Sequence, residues 1–413
     1  MSHEYGDVVY LPVGRQQIYF LGHPDAVRDI LVTNQTKFKK SRMLERARVL
    51  LGDGLLTSEG DHHKRQRRLM QPAFHRDRLA GYGATMAERA EAAQSRWKPA
   101  EPFDVAEEMM RLTLDIVGRT LFSAEVDAEA DEIAAALAQV FGLFEVILMP
   151  FSEWLEKLPL PSVRRFHQAR ARLDQTIYRL IADRRANPRD TGDLLSMLLL
   201  AQDEDDHGGM TDQQVRDEAL TLFLAGHETT ANVLTWTWYL LSENPEAEAA
   251  LHAELDGVLA GRRPSVADLP QLRYTEGVIS EALRLYPPAW AIGRRALEDY
   301  RVGDYLIPAS SVVLTSPYVV HRDKRWFPDP LAFRPERWLV EESTRPKFAY
   351  FPFGGGTRVC IGERFAWMEG ILVLAAIAQH WRLRLEPGHR VETHARITLR
   401  TKYGMRMIAE HRP

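Results

Sequence analysis

The chain has 413 residues, of which 45% are hydrophobic and 27% are charged, so it is long and apolar enough to bury a large core. Its formal net charge of -4 argues against nucleic acid as a partner, because domains that bind nucleic acids usually carry a net positive charge or a basic stripe. The single cysteine excludes an internal disulfide and fits a reducing compartment, which predicts a cytoplasmic protein.

The N-terminal half of the chain has mostly helical patterns. Residues 8–20 are rich in β-favouring side chains broken by Pro12 and Gly14, which predicts a hairpin. Helices are predicted over residues 23–32, 60–80, 105–122, 127–148 and 162–186.

The C-terminal half begins with a long apolar helix and ends in a mixture of strands and helices. Thr211 and Gln214 have the spacing of a capping box, which predicts a helix that reaches residue 242. Further helices are predicted from Pro245 and over residues 274–285 and 362–380, and strands over 295–320 and 396–408. These patterns predict one mainly α domain over residues 1–413, with small β-sheets near its N- and C-terminal parts.

No segment has the pattern of a membrane anchor. The N-terminus lacks the basic and apolar regions of a signal peptide. Residues 133–151 are unusually apolar, but Gln139, Glu145 and Pro150 interrupt them. We therefore expect no transmembrane anchor.

The cysteine lies in a glycine-rich loop, FGGGTRVCIG, at residues 353–362. A lone cysteine is by default a small buried apolar residue. Here, however, the glycines permit unusual backbone angles and close approach of a flat ligand. Cys360 also precedes a predicted helix, whose positive end and Arg358 both favour a thiolate, and a thiolate is a good axial ligand for haem iron. A dinucleotide-binding loop would need a different spacing and a preceding strand.

This loop resembles the cysteine-ligand loop of the cytochrome P450 family. The matching residues are Phe353, Gly356, Arg358, Cys360 and Gly362. The resemblance extends from Tyr5 to Met407 and implies a P450-type helical fold and a haem b cofactor (iron protoporphyrin IX) bound through Cys360. It also implies that Phe353, Gly354 and Ala225 contact this cofactor. Family members usually carry a further N-terminal helix, which is absent or trimmed in this sequence.

A second motif, AGHETT at residues 225–230, lies within the long helix. A zinc-protease motif would need histidine at position 231, where this chain has Ala231. A threonine inside a helix often only bonds back to a carbonyl one turn earlier. The segment is similar to the oxygen-activating stretch of the P450 family, and this similarity implies that Gly226 lets the helix open locally, that Thr229 donates a hydrogen bond at the reacting oxygen and that Glu228 relays protons.

Glu281 and Arg284 are three residues apart on one predicted helix and can form a pair. On a surface, such a pair would contribute only a few tenths of a kcal/mol. The motif resembles the structural Glu-x-x-Arg motif of the family, and the segment FRPERW at 333–338 resembles the one that supplies Arg337 as a third member. The resemblance implies that the three residues brace the core beneath the cysteine loop.

Two carboxylates of haem require cations when they are buried. The basic run HHKRQRR at residues 62–68 is by charge alone either a solvated face or an anion-binding patch. His63 and Arg67 are four apart on one helical face and resemble the family's propionate contacts. Arg295 and Arg358 resemble two further contacts, and Arg294 is the alternative to Arg295.

The resemblance also implies which segments surround a substrate. Residues 133–151 and the helix after Pro161 correspond to the lid over the haem pocket, where Phe141 and Phe144 contribute apolar surface together with Ile147 and Leu148. Trp290 and Ile292 follow the Tyr286-Pro287-Pro288 turn and are expected to pass over the haem. An apolar pocket suits a lipophilic small molecule, such as a fatty acid, a terpenoid or a carotenoid-like compound. These residues are equally compatible with ordinary core positions.

No flavin or iron–sulfur module is recognisable in the sequence, so we expect electrons to come from a separate ferredoxin or flavodoxin with its reductase. An acidic partner would dock near Lys64, Arg65, Lys347 and Arg364, and electrostatic steering would make docking sensitive to salt. The sequence therefore favours a monooxygenase that uses dioxygen. A haem-thiolate sensor would not need the Glu228–Thr229 pair, and family branches that use peroxide or isomerise their substrates tend to lose it.

Overall fold

The computed structural model describes residues 5–122, 161–203, 208–340 and 344–412. The fold is mainly helical, as the sequence predicts. The α-helices are α1 (Pro24–Arg28), α2 (Arg42–Arg46), α3 (Arg48–Leu51), α4 (Gly60–Met70), α5 (Arg76–Gln94), α6 (Val105–Phe122), α7 (Pro161–Ala186), α8 (Leu194–Leu200), α9 (Asp212–Glu243), α10 (Pro245–Leu259), α11 (Arg273–Leu285), α12 (Pro317–Val320) and α13 (Glu363–Ala378).

The strands form small sheets. They are β1 (Val8–Val13), β2 (Gln16–Leu21), β3 (Phe38–Lys40), β4 (Pro102–Asp104), β5 (Ile292–Ala296), β6 (Tyr300–Val302), β7 (Tyr305–Ile307), β8 (Val312–Thr315), β9 (Trp381–Leu385), β10 (Thr393–Ala395), β11 (Leu399–Thr401) and β12 (Arg406–His411). A five-stranded sheet has the order β1-β2-β8-β5-β3, and a three-stranded sheet has the order β4-β12-β9. The pairs β6–β7 and β10–β11 are separate two-stranded sheets.

The described chain divides into two compact units. The first consists of residues 1–41, 86–110 and 229–413 and contains the sheets with α10 to α13. The second consists of residues 42–85 and 111–228 and is helical in its described part. Helix α9 belongs to both units, because the chain passes from the second to the first between Glu228 and Thr229.

The core of the first unit surrounds α11 and α13. Both helices are apolar and buried over most of their length, and α13 is buried without interruption from Met368 to Ala378. A second cluster joins the five-stranded sheet to α1 and includes Leu21, Val27 and Val313. The cluster also contains Phe348 and Phe351, which precede the cysteine loop, so the loop extends from a well-packed part of this unit.

Most predicted elements are confirmed, and the corrections have local causes. The capping box is present, because Gln214 N donates to Thr211 Oγ1 at 3.2 Å and Thr211 N donates to Gln214 Oε1 at 2.9 Å. The helix predicted over residues 60–80 is instead broken by a 3₁₀ turn, Gln71–Phe74, because Pro72 cannot donate a helical hydrogen bond. The strand predicted over residues 396–408 is two strands, β11 and β12, separated by a turn in which Gly404 has a φ of 71°.

The helix predicted over residues 127–148 lies outside the described residues. Within the described ranges, every helix is too short or too polar to cross a bilayer. The expectation of a single domain stays a prediction.

Candidate active site

The cysteine loop is built from glycines in conformations that other residues resist. Gly354 and Gly356 have φ angles of 75° and 67°, in the left-handed region. The backbone N–H of Cys360 donates to the Phe353 carbonyl at 3.0 Å, which closes the loop. Cys360 itself is exposed and forms no disulfide.

The loop is fixed from the outside by the segment after α1. A methyl group on Gly356 would collide with the carbonyl oxygen of Leu31, so only glycine fits there. The side-chain oxygen of Gln35 accepts hydrogen bonds from the N–H and the hydroxyl of Thr357, at 2.9 and 2.8 Å. The position of the cysteine is therefore set by contacts with a distant part of the chain.

Helix α13 begins at Glu363, three residues after the cysteine. Its N-cap, Gly362, has no side chain to accept hydrogen bonds from the first turn. The free N–H groups of the first turn therefore give this end of the helix a partial positive charge that favours negatively charged neighbours. Arg358 lies in the 3₁₀ turn Gly356–Arg358 and is half-buried.

The middle of α9 combines buried and accessible positions. Glu228 is 3% exposed, Thr229 is half-buried and Ala225 is exposed, although the residues around them on the helix are mostly buried. A small exposed residue inside an otherwise buried helix indicates that this turn lines an accessible space. Ala225, Glu228 and Thr229 lie at helical spacing around this turn.

The resemblance implied that helix α9 opens locally at Gly226. The structure differs, because the helix remains α-helical from Asp212 to Glu243. The structure gives Gly226 a packing role instead, because a methyl group there would lie 3.1 Å from Cγ2 of Val117 on α6. One turn away on α6, the hydroxyl of Thr113 donates to the His227 carbonyl at 2.9 Å.

The four predicted propionate contacts lie on three elements. His63 and Arg67 are on α4, four residues apart on one face, and His63 is 3% exposed while Arg67 is half-buried. Arg295 is half-buried on β5, where it lies opposite Val312 in the register with β8. Arg294 is adjacent to it in the strand and therefore points to the other face of the sheet.

The predicted ion pair of α11 is fully buried and saturated with hydrogen bonds. Glu281 and Arg284 have side chains that are 0% exposed and form a bidentate pair at 2.8 Å. Glu281 also accepts from Arg337 Nε at 2.9 Å and from Trp338 Nε1 at 2.9 Å. The remaining guanidinium hydrogens of Arg284 bind the carbonyls of His321, Pro330 and Ala332. This is the geometry that a buried charge requires.

The predicted substrate contacts are only partly described. Trp290 is half-buried and its indole N–H donates to the Arg396 carbonyl at 2.8 Å, so its position is fixed by the loop between β10 and β11. Ile292 is half-buried at the start of β5, and its Cδ1 would lie 3.8 Å from a methyl group on Gly354. Phe141 and Phe144 lie outside the described residues, as do Ile147 and Leu148.

A groove of about 820 Å³ runs along the outer side of the cysteine loop. Its charged lining consists of two exposed cations, Arg28 and Lys347, and two acids, Asp25 and Glu363, while Arg364 is exposed near the start of α13. In the other unit, Lys64 pairs with Asp61 at 2.9 Å and Arg65 donates to the Gly208 carbonyl at 3.0 Å. These two cations are therefore already engaged.

Three residues important to this region were missed from the sequence. Gln35 holds the cysteine loop, and nothing in its local sequence indicates this. Trp338 completes the hydrogen bonds of Glu281, whereas only Arg337 was predicted from this segment. Glu369 is the only acid in the apolar run 368–378, and its isolation there was a signal that could have been used.

The features described above define a haem-thiolate class of enzyme. They are a mainly helical fold with small sheets, a glycine-rich cysteine loop, a buried Glu-x-x-Arg pair and an acid–threonine pair in a long helix. The family model for cytochrome P450 matches residues 1–404, and the chain belongs to this family. It is therefore an oxidoreductase of the monooxygenase type, and its family implies a haem cofactor.

Similar proteins support this assignment. The chain is 46% identical to cyclooctatin synthase of Streptomyces melanosporofaciens, over 99% of this chain and 89% of that protein. It is 41% identical to cyclooctat-9-en-7-ol 5-monooxygenase of the same organism, over 93% and 84%. It is 36% identical to pentalenene oxygenase of Streptomyces avermitilis, over 96% and 88%. The fold matches that of the retinoic acid bound cyanobacterial CYP120A1 with a TM-score of 0.90 at 24% identity, covering 100% of this chain and 93% of that one.

Proposed function

We propose that this monooxygenase hydroxylates or epoxidises a lipophilic substrate with a haem b that is bound through Cys360. The observation that carries the proposal is the cysteine loop: one exposed cysteine, three adjoining glycines and an anchor outside the loop that fixes its position. A buried structural cysteine would need neither exposure nor this glycine pattern.

The residues present fit a flat, dianionic cofactor. Gly354 leaves space beside the loop, since a methyl group added there would meet only Cδ1 of Ile292, at 3.8 Å, and Phe353 closes the loop through its carbonyl. Ala225 presents only a methyl group on the accessible turn of α9. Haem, when bound, would supply the activation of dioxygen and the insertion of one oxygen atom into the substrate.

Cationic side chains are proposed to bind the two carboxylates of the cofactor. These are His63, Arg67, Arg295 and Arg358, all buried or half-buried. A charge-assisted hydrogen bond to a carboxylate is stronger when its donor is shielded from water. The positive start of α13 has a related effect on Cys360, because it favours the thiolate.

Thr229 and Glu228 are proposed to deliver protons to the reacting oxygen. The half-buried hydroxyl of Thr229 would hold a proton at the accessible turn of α9. Glu228 is adjacent in sequence and buried, and we propose that it relays protons from solvent to this turn. Neither role requires α9 to open at Gly226.

We propose a cyclic terpenoid as the substrate class, rather than a fatty acid or a long-chain carotenoid. The similar proteins support this choice, since pentalenene oxygenase and cyclooctat-9-en-7-ol 5-monooxygenase are named after an unsaturated hydrocarbon and an unsaturated alcohol. Trp290 and Ile292 would provide apolar contacts. A panel containing a cyclic terpene, a fatty acid and a carotenoid would test this, with the shift of the haem absorption band as the measure of binding.

We further propose that a separate ferredoxin or flavodoxin, with its reductase, supplies the electrons. The groove beside the cysteine loop supports this, because exposed Arg28 and Lys347 lie along it, although Asp25 and Glu363 also line it. Lys347 and Arg364 are the proposed contacts. Lys64 and Arg65 are weaker candidates, since both are engaged with neighbouring groups. A cytoplasmic location would fit such a partner.

The first experiment is the absorption spectrum of the reduced, carbon monoxide-bound protein. We expect the native chain to show the red-shifted band of thiolate ligation and Cys360→His to lose it, because an imidazole donates less electron density to iron than a thiolate does. Gly388→Ala is a matched control in a remote turn and should keep the band. If the native chain bound haem without this band in freshly folded protein, thiolate ligation by Cys360 would be excluded.

A further inference from the structure

A second cavity, which we call the terminal cavity, lies between Gln94, Asp256 and Trp381. It has a volume of about 690 Å³, opens to solvent and is lined by residues of the first unit. Gln379 and His380, which directly follow α13, form part of its lining. Helix α13 has 16 residues and is about 24 Å long, so the cavity and the cysteine loop lie at opposite ends of one helix. The volume is in the range of sites for small molecules.

Two amide oxygens in the lining of the terminal cavity have no hydrogen-bond donor. Gln94 is 7% exposed, and its amide nitrogen donates to the Ala376 carbonyl at 3.3 Å, which turns the amide oxygen away from that carbonyl. Within the described part of the chain, this oxygen has no partner, and neither has the amide oxygen of half-buried Gln379. A buried oxygen of this kind destabilises the folded chain unless water or a ligand supplies a donor.

Two carboxylates of the lining contribute further acceptors. Arg263 donates to Glu91 through both Nε and Nη2, but both hydrogen bonds end on Oε2. Arg412 donates to Oδ2 of Asp256 at 2.7 Å. Among the described residues, none donates to Oε1 of Glu91 or to Oδ1 of Asp256. The terminal cavity therefore has four acceptor oxygens that a donor-rich ligand can use.

The chain already places one of its own cations beside this cavity. Nη1 of Arg412 donates to the carbonyls of Ala378 and Gln379 at 3.2 and 3.1 Å, and these carbonyls are at the end of α13. The C-terminal end of a helix carries a partial negative charge and favours cations. The surroundings are therefore suited to positive charge.

The charged side chains of the lining leave a small excess of negative charge. They are two acids, Glu91 and Asp256, and one arginine, Arg412. Arg263 pairs with Glu91 from outside the lining, but its side chain is 52% exposed, and exposed pairs are weak. His252 lies one turn before Asp256 on α10. Burial, together with the charge of nearby Arg412, lowers the pKa of His252 to about 4, so this imidazole is neutral at pH 7 and does not cancel a carboxylate.

Aromatic rings form one wall of the terminal cavity. Trp381 is 5% exposed and stacks on His411, with ring centroids 4.0 Å apart and an angle of 25° between the planes. The ring of Trp97 lies 5.9 Å from that of Trp381, and its indole N–H donates to Glu108 at 3.3 Å. Aromatic faces attract ammonium groups and also pack against methylene groups.

We propose that the terminal cavity binds a linear polyamine, a chain of methylene groups that carries two or more ammonium groups. The ammonium groups donate to the oxygens of Gln94, Gln379, Glu91 and Asp256, and the methylene groups lie against the aromatic wall. A polyamine supplies several donors at once, which matches four acceptors on separate side chains. The site is independent of the haem site and of the proposed reaction.

Other classes of ligand fit the cavity less well. An anion would meet two carboxylates, and the one arginine of the lining is already bound to Asp256 and to the carbonyls at the end of α13. A metal ion would need a closer set of ligands, and within the described ranges no three His, Cys, Asp or Glu side chains are grouped so that they could hold one.

The first test is calorimetric titration of the haem-loaded protein with spermidine at low salt. We expect binding at one site, with an affinity that falls as salt screens the charges. Glu91→Gln combined with Asp256→Asn should weaken this binding about tenfold, because two carboxylates are lost from the site. Glu386→Gln combined with Asp329→Asn removes the same charge from acids outside the lining and should leave the affinity nearly unchanged. Absence of binding, or equal affinities for the two double variants, would refute the site.

The second test separates a built site from a general attraction to acids. Gln94→Leu removes the buried amide oxygen without changing the charge, and we expect it to weaken spermidine binding about tenfold. Gln379→Leu is a milder variant at a half-buried position, in case Gln94→Leu does not fold. The circular dichroism spectrum reports the folding of each variant. If folded variants at both positions bind spermidine as the native chain does, the cavity is not the binding site.

The third test compares probes of different charge. Propylamine, which has one ammonium group, should bind at least about tenfold more weakly than spermidine, because it supplies fewer donors. Inorganic phosphate should not bind. Equal affinities for propylamine and spermidine would show that the cavity takes a single ammonium group, and binding of phosphate without binding of spermidine would show an anion site. Either result would overturn the proposal.

Discussion

At the scale of single residues, the described part of the chain uses buried charge in two different ways. Glu281 is surrounded by donors from Arg284, Arg337 and Trp338 and carries its charge at full burial. Glu369 has no charged partner among the described residues, and burial raises its pKa to about 8, so its carboxyl group is mostly neutral at pH 7. The difference lies in the partners and not in burial, since both acids are 0% exposed.

The Glu281 network allows a direct test of stability. Arg337→Ala removes the guanidinium whose Nε lies 2.9 Å from Oε1 of Glu281 and leaves the buried carboxylate with one hydrogen-bond donor fewer. We expect this to lower the free energy of unfolding by about 3–5 kcal/mol. Arg334→Ala is the control: its side chain pairs with Asp329 at 3.1 Å on the surface and should contribute less than about 1 kcal/mol. Urea unfolding followed by circular dichroism would measure both, and equal losses would contradict a bracing role for the network.

Thr229 gives the second prediction at this scale. Thr229→Ala should reduce product formation by about ten- to a hundredfold while reductant is still consumed, because the proton donor at the oxygen is lost. Thr229→Ser keeps the hydroxyl and should retain most of the coupling. Thr237→Ala serves as the control on the same helix, since that buried hydroxyl only donates to the Val233 carbonyl at 2.8 Å. Full coupling in Thr229→Ala would exclude the proposed role.

At the scale of elements, the cysteine loop shows how a local motif depends on distant packing. The sequence identifies the loop by its glycines, but the reason for Gly356 lies in the carbonyl of Leu31, far away in the chain. The same holds for Gly226 on α9. Its role was expected to be an opening of the helix, and the structure shows close packing against Val117 instead.

Substitution of Gly356 should therefore lower the free energy of unfolding by more than backbone strain alone would. Gly356→Ala adds a methyl group at a φ of 67° against the Leu31 backbone, and we expect a loss of about 2–5 kcal/mol together with weaker haem retention. Gly388→Ala has a similar φ of 82° but meets nothing within 4 Å, so it should cost only about 1 kcal/mol. Thermal unfolding and haem titration would compare them, and identical behaviour would mean that Leu31 moves aside.

At the scale of the whole molecule, the net charge of -4 does not describe the region beside the cysteine loop, where Asp25 and Glu363 balance the two cations that line the groove. Exposed Arg28 and Lys347 lie in the groove, and Arg364 is exposed at the start of α13. Net charge alone would predict repulsion of an acidic redox partner. Arg364 adds one cation next to this balanced lining, a weak local excess that favours attraction, and local fields govern encounter rates at short range.

The docking proposal is tested by charge reversal. Lys347→Glu combined with Arg364→Glu should lower the rate constant of electron transfer from an acidic ferredoxin about tenfold at low salt, and the difference should shrink as salt screens the charges. Lys98→Glu reverses an exposed lysine outside the groove and should change the rate much less. Rates that do not depend on salt for the native chain would place docking elsewhere.

The sequence by itself determined the helical class, the cysteine loop and the Glu-x-x-Arg pair, because each depends on residues that are close together in the chain. Helical periodicity, capping at Thr211 and the spacing of Glu281 and Arg284 are local properties of this kind. Only the tertiary structure decided the role of Gln35, the pairing of β2 with β8 and the contact with Leu31 that reserves position 356 for glycine. These features arise from contacts between segments far apart in sequence, and a residue's hydrogen-bond partners and burial are fixed only when those segments pack.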